Sequence, residues 1–311
     1  MPEQYRLKNA HPICKNAEEI VTKISATQNV ERVYFAYKNS RIGCLRFGRG
    51  ERLLIAFHGF GDRSNLFLEL QNSLESHYTV YAVDLPHHGH TQWRESFFNK
   101  RDIKRIISTI TEMENKYRFE LMGYSFGARI IQRMVWEFAP RLDRLYLIAP
   151  DGFNTKGMFE ISMVPRQIRY ALWWILNKPF WFLRILTLFR KYKLINQFIY
   201  DFTFKHLGRV ERRVRLFSYW LSMDDFVIPM RRVLEKFNRI EIPIDLFFGE
   251  KDPIIPVSTG KMLEKALPMA RLHILNATHR LVTPALDALL KKILHTEISE
   301  ETIDFCEHIV T

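Results

Sequence analysis

Residues 120–130 read "ELMGYSFGARI". An apolar run ends in Gly-Tyr-Ser-Phe-Gly and passes directly into a segment with helical spacing. This is the G-x-S-x-G pattern of a tight strand-to-helix turn. Gly123 and Gly127 leave room for a strained turn and for close packing of helix on strand. The backbone N–H of Phe126, at a helix start, suits a negative charge. A serine hydroxyl is a weak nucleophile. It needs a base within reach, a group that orients the base, and donors for the oxyanion it creates. The pentapeptide alone also fits a purely structural turn. The strand before it and the helix after it favour a nucleophile at Ser125.

Outward from this point the chain alternates. "RLLIAFHG" (52–59), "YTVYAVDLP" (78–86), "FELMGYS" (119–125), "RLYLIAPDG" (144–152), "IPIDLFFGEKD" (242–252) and "ARLHILNATH" (270–279) are continuous apolar runs. Such runs are expected of strands buried on both faces. Between them, "SNLFLELQNSLES" reads as a helix after a Ser cap. "KRDIKRIISTITEMENKY" reads as a helix with Ile103, Ile106, Ile107 and Ile110 on one face. "FGARIIQRMVWEFAP", "PVSTGKMLEKALP" and "LVTPALDALLKKILHT" are helical too. "RVYFAY" and "CLRFG" flank a polar "KNSR" turn and suggest a hairpin. Residues 15–28 read as a helix leading in. Strands joined by crossover helices give an α/β fold, a mostly parallel sheet flanked by helices.

Other parts that a nucleophilic serine needs occur at strand ends. "FHGFGD" offers a glycine loop, with the backbone N–H of Phe60 as a second oxyanion donor beside Phe126. "ILNATHRLV" supplies His279 as base, at the carboxyl edge where open α/β sheets place their ligands. "FFGEKDPIIP" supplies Asp252. The order Ser125, Asp252, His279 is that of the α/β-hydrolase architecture. With "HGFG", "DLPHHGHT", "GYSFG", "GEKDPIIP" and "ATH" in place, the chain resembles the α/β-hydrolase superfamily over roughly residues 33–152 and 239–296. The resemblance implies a serine hydrolase: Ser125 attacks, His279 takes and returns the proton, and Asp252 orients the imidazole. It implies a carboxylic ester or thioester as substrate, a small acyl compound, with no cofactor and no metal. Alternatives are a C–C bond hydrolase of the same fold and a non-catalytic binding protein on it.

Two departures matter. His87 stands where relatives usually carry glycine, as in D-x-P-G-x-G. The neighbouring His88 and His90 are read as a histidine-rich loop rather than a metal site, with Asp84 capping the turn. Asp151, in "IAPDGF", is a rival acid that some relatives use, and Asp252 is the fuller motif match. Serine rather than aspartate at the elbow disfavours epoxide and haloalkane hydrolysis.

The net charge is +12, and it is unevenly spread. From Val164 to Leu216 there are twelve Lys or Arg against Asp201 and Glu211, a net of +10 that leaves +2 elsewhere. The same span is dense in aromatics, among them Trp173, Trp174, Phe180, Trp181 and Phe182. Residues 153–238 are therefore read as a helical cap inserted into a core of residues 1–152 and 239–311, with residues 1–30 as an extension. Leu172–Phe189 holds 18 residues, but Asn177, Lys178, Pro179 and Arg184 interrupt it, and a spanning helix wants ~20 mostly apolar residues. The composition suits an apolar roof over the site, and also peripheral contact with an anionic membrane surface. No nucleic-acid motif is present. Cys14, Cys44 and Cys306 are scattered, which fits a reducing cytoplasm. "MPEQYRLKNAHPICKN" has no apolar core, so no secretory signal is expected there.

Overall fold

The apolar runs lie side by side in one eight-stranded sheet. The computed structural model describes residues 30–95, 97–153, 179–195 and 225–296, with scattered positions between 197 and 222. The helix expected at residues 15–28 lies outside the described residues, and so does much of the expected cap.

β1 (Val30–Tyr37) and β2 (Ser40–Phe47) form the antiparallel hairpin that the sequence suggests. Lys38 makes the reversal with a φ of 52°. β3 (Arg52–Phe57), β4 (Tyr78–Val83), β5 (Phe119–Tyr124), β6 (Leu142–Ile148), β7 (Ile244–Gly249) and β8 (Ala270–Leu275) follow. The spatial order is β1-β2-β4-β3-β5-β6-β7-β8, parallel from β4 to β8. Every residue of β5 and of β7 is buried, which is why neither shows alternation.

Helices cover both faces. α1 (Gln71–Leu74) lies on one face with the preceding 3-10 turn (Ser64–Leu70) and a helix over 284–296, here α7. Phe67, Leu70, Leu74, Leu286, Leu290 and Leu294 pack there on Leu54, Ala56, Met122 and Phe247. On the other face lie α2 (Lys100–Met113), α3 (Phe126–Phe138), α5 (Met230–Phe237) and α6 (Val257–Ala266). Ile103, Ile106, Ile107 and Ile110 are fully buried there, as their spacing predicts. α4 (Pro179–Lys191) belongs to the expected cap.

One expected cap differs. Residues 64–70 wind as a 3-10 helix after an extended Arg63, with no side-chain cap. The Ser64 N–H instead donates to Asp84 Oδ1 at 2.7 Å. Asp84 also receives the His90 N–H at 2.8 Å, so it does tie the turn after β4.

The strand order reverses at β3. β4 lies on one side of it and β5 on the other, so the loops after β3 and β5 meet at the switch point where such sheets bind ligands. The opposite, amino end of the sheet is polar. Arg52 donates to Glu120, the Tyr78 hydroxyl donates to Glu120 at 2.8 Å, and Tyr78 and Tyr146 share a hydrogen bond. Alongside, Asp245 accepts from Arg144 and pairs with His273, each at 2.7 Å. These seven side chains form a belt across one face, and Glu120, Arg144 and Asp245 are buried.

Candidate active site

Ser125 sits between β5 and α3 at φ 51°, ψ −113°. That is a left-handed φ that a serine adopts only under constraint. The constraint is visible on both sides. A Cβ on Gly127 would stand 1.9 Å from the Phe57 carbonyl oxygen, and one on Gly123 would stand 2.6 Å from the Ala128 nitrogen. Both glycines are therefore required by close approach of α3 to β3 and to its own strand. The Ser125 N–H donates to the Ile148 carbonyl at 2.8 Å, and its carbonyl accepts from Ala128 at 3.0 Å.

The loop after β8 brings His279 to this turn. Its Nε2 lies 3.1 Å from Ser125 Oγ, and its Nδ1 lies 2.7 Å from Asp252 Oδ2. A carboxylate can only accept, so Nδ1 carries the proton and Nε2 presents a lone pair to the serine hydroxyl. Asp252 Oδ1 accepts the N–H groups of Ile254 and Ile255 at 2.7 and 3.0 Å. Burial pushes the Asp252 carboxyl up, but hydrogen bonds from His279, Ile255 and Ile254 outweigh it and hold the group below its ordinary value. Its side chain is fully buried, while about a fifth of His279 reaches solvent. Close loop packing sets this distance: a Cβ on Gly249 would meet the Thr278 carbonyl at 2.5 Å.

The rival acid is engaged elsewhere. Asp151 Oδ1 accepts from Arg129 at 2.7 Å, and its carbonyl accepts from Gln132 at 2.6 Å. It serves the α3–β6 packing and is not the partner of His279.

Phe60 lies in the loop after β3, and Phe126 is the first residue of α3, on adjacent strands' exits. Two histidines hold that loop: His58, not singled out from the sequence, and His88, read there only as part of a histidine-rich loop. His58 is fully buried. Its Nε2 accepts the Leu85 N–H at 3.1 Å, and its Nδ1 donates to the Gly59 carbonyl at 2.7 Å. His88 repeats the arrangement: Nε2 accepts from Gly61 at 3.1 Å and Nδ1 donates to Pro86 at 2.9 Å. The rings are 5.1 Å apart. Burial keeps both neutral, lowering His58 to about 4 and His88 well below its ordinary value. With both nitrogens committed, neither is a metal ligand. Among the described residues no cluster suits a metal. A signal was present in the sequence: a polar ring directly after an uninterrupted buried strand needs partners.

Tyr124, the residue before Ser125, is a third such support. Its hydroxyl donates to the His279 carbonyl at 3.0 Å, and its ring lies against the imidazole. His87 sits at φ 62°, which explains the glycine expected there. Its Nε2 is buried and has no hydrogen-bond partner among the described residues. Burial and Arg215, whose Nε donates to the His87 carbonyl at 3.0 Å, lower the ring to about 4. Beside the site lies a polar cavity of about 640 Å³, lined by Asp62, Arg63, Glu69, Arg215 and Arg280 among others. Burial raises the Asp62 carboxyl, which Arg280 and His279 oppose.

Comparison with known proteins agrees with this architecture. Residues 52–194 match the family model described as alpha/beta hydrolase fold. The chain is 24% identical over 239 residues to the uncharacterized hydrolase YugF of Bacillus subtilis, covering 75% of this chain and 85% of that protein. Among solved structures it resembles a putative lipase from Acinetobacter baumannii. There the TM-score is 0.62 and the identity 15%, over 88% of this chain and 93% of that one. It also resembles the thioesterase domain from the curacin biosynthetic pathway. In that case the TM-score is 0.61 and the identity 16%, over 85% of this chain and 99% of that one.

Proposed function

The chain belongs to the α/β-hydrolase superfamily, and from that premise we propose that it is a serine hydrolase cleaving a carboxylic ester or thioester through an acyl-enzyme. The observation that carries the reading is the continuous relay from Ser125 Oγ through His279 to Asp252, at 3.1 and 2.7 Å. The likeness to a putative lipase and a thioesterase domain supports an acyl substrate.

In this reading Ser125 Oγ attacks the acyl carbonyl carbon as its proton passes to His279 Nε2. Asp252 stays ionised and stabilises the imidazolium. The N–H groups of Phe60 and Phe126 receive the oxyanion. The tetrahedral intermediate collapses, the bond to the leaving oxygen or sulfur breaks, and His279 returns the proton to it. Water then attacks the acyl-enzyme with His279 as base, releasing the acid and restoring Ser125. No metal or cofactor takes part.

A fluorophosphonate probe tests the nucleophile. Wild type is expected to label and Ser125→Ala is not. An unlabelled wild type, under conditions that label a known serine hydrolase, overturns the reading. A chain-length series of p-nitrophenyl and coenzyme A esters then identifies the acyl group. Labelling without turnover of any ester, together with cleavage of an activated C–C bond, would transfer the protein to the C–C hydrolases.

A further inference from the structure

We propose that α4 docks the protein on an anionic lipid surface, lying in the plane of the headgroups. The motivation is an apolar stripe that points to solvent. Trp181, Ile185 and Leu188 recur at helical spacing on α4 and are 64%, 46% and 50% exposed. Phe180 and Phe189 flank the stripe, and Tyr192 continues it, all of them exposed. Leu186, one position round the helix, is buried instead, so the helix already has an inward side. A stripe of large apolar side chains held in water calls for a surface to cover it.

The charge alongside names the kind of surface. Arg184, Arg190, Lys191 and Lys193 are exposed beside the stripe, and residues 179–195 contain no acid. Arg184 lies over the Phe180 ring, with its guanidinium carbon 5.3 Å from the centroid. Aromatic and aliphatic groups on one side with cations at their edges match an apolar boundary topped by phosphates and carboxylates. An apolar protein groove would leave those cations unmatched. The helix is also too short to span: among the described residues none is long and apolar enough to cross a membrane. α4, at 13 residues, therefore lies on the surface. Lys and Arg stems reach past the stripe while their heads stay with the headgroups.

Co-sedimentation of the full chain with vesicles tests this. One set is phosphatidylcholine alone, and the other contains roughly one third phosphatidylserine, a negative surface potential of the kind that attracts basic segments. Binding to the anionic vesicles is expected to be at least ~10-fold tighter and to weaken as salt rises. Trp181→Ser with Leu188→Ser is expected to lower anionic-vesicle binding by at least ~10-fold. Replacing Arg184, Arg190, Lys191 and Lys193 by Gln is expected to lower it ~100-fold or more and to abolish the preference. Each variant is checked by thermal unfolding and by fluorophosphonate labelling, neither of which needs the stripe, so loss of docking is distinguishable from loss of the nucleophile. Equal binding to the two vesicle types overturns the proposal, as does unchanged binding by the variants. An oligomer of the free protein that the Ser variant dissociates, without vesicle binding by wild type, assigns the stripe to self-association and likewise overturns it.

Discussion

The carboxylate of Asp252 divides its two oxygens between two tasks: Oδ2 holds His279 at 2.7 Å, and Oδ1 is fixed by the N–H groups of Ile254 and Ile255. The acid cannot rotate without losing all three bonds, so the imidazole is held in one tautomer facing Ser125. Asp252→Asn would place an amide against Nδ1 and favour the wrong tautomer. Ester turnover is expected to fall by roughly four orders of magnitude. Asp151→Asn is expected to stay within about tenfold of wild type in turnover while melting lower, because it weakens the pair with Arg129. Turnover of an activated ester by the two variants checks this, and a crippled Asp151→Asn would reverse the assignment.

Tyr124→Phe removes only the bond to the His279 carbonyl. Worth about 1 kcal/mol, its loss is expected to slow fluorophosphonate labelling about fivefold with little change in melting temperature. An unchanged labelling rate would show that the ring contact alone positions His279.

The neutral histidines predict a pH effect. The folded chain keeps His58 and His88 unprotonated, whereas unfolded histidine takes up a proton near ~6.5. Unfolding in mild acid therefore binds protons that folding must release. The stabilisation is complete above the unfolded value and is lost as pH falls towards about 4, where folded His58 titrates. Urea unfolding at several pH values between these limits should show falling stability, and His58→Gln should flatten the slope. Equal slopes in the two proteins would rule out His58 as a source.

His87 gives a test of backbone strain. At φ 62° an L-residue pays ~1–2 kcal/mol that glycine does not. His87→Gly should therefore be more stable than His87→Ala by about 1 kcal/mol, the reverse of the usual order in helices. Thermal unfolding of the two variants decides the point, and a more stable Ala variant would contradict it.

Much of the architecture can be read before any coordinates. β3 to β8 appear as apolar runs because helices cover both faces, and Ser125, Asp252 and His279 each follow such a run. Gly123 and Gly127 announce the tight turn. The tether between His58 and Leu85 spans 27 positions, and no local period encodes it. The 3-10 winding of residues 64–70 was missed for a related reason. Ser64 looks like a helix cap, yet Asp84, from another segment, takes its N–H. The basic aromatic span shows its composition plainly, but composition does not give the direction a side chain faces. The solvent-facing stripe on α4 needed three dimensions.

The polar belt at the amino end of the sheet bears on how this chain can change over time. Replacing Asp245 alone strands Arg144 in a largely water-free layer. Breaking a buried pair costs about 3–5 kcal/mol, a large share of the ~5–15 kcal/mol that holds a domain together. Replacing several members at once by apolar side chains of similar volume need not carry that penalty. The Arg144–Asp245 pair is thus expected to change together, since single substitutions reach an alternative only through less stable intermediates. Loops at the carboxyl end face no such ratchet. Divergence among descendants of this chain is expected to collect around the substrate, while the far end of the sheet stays as it is.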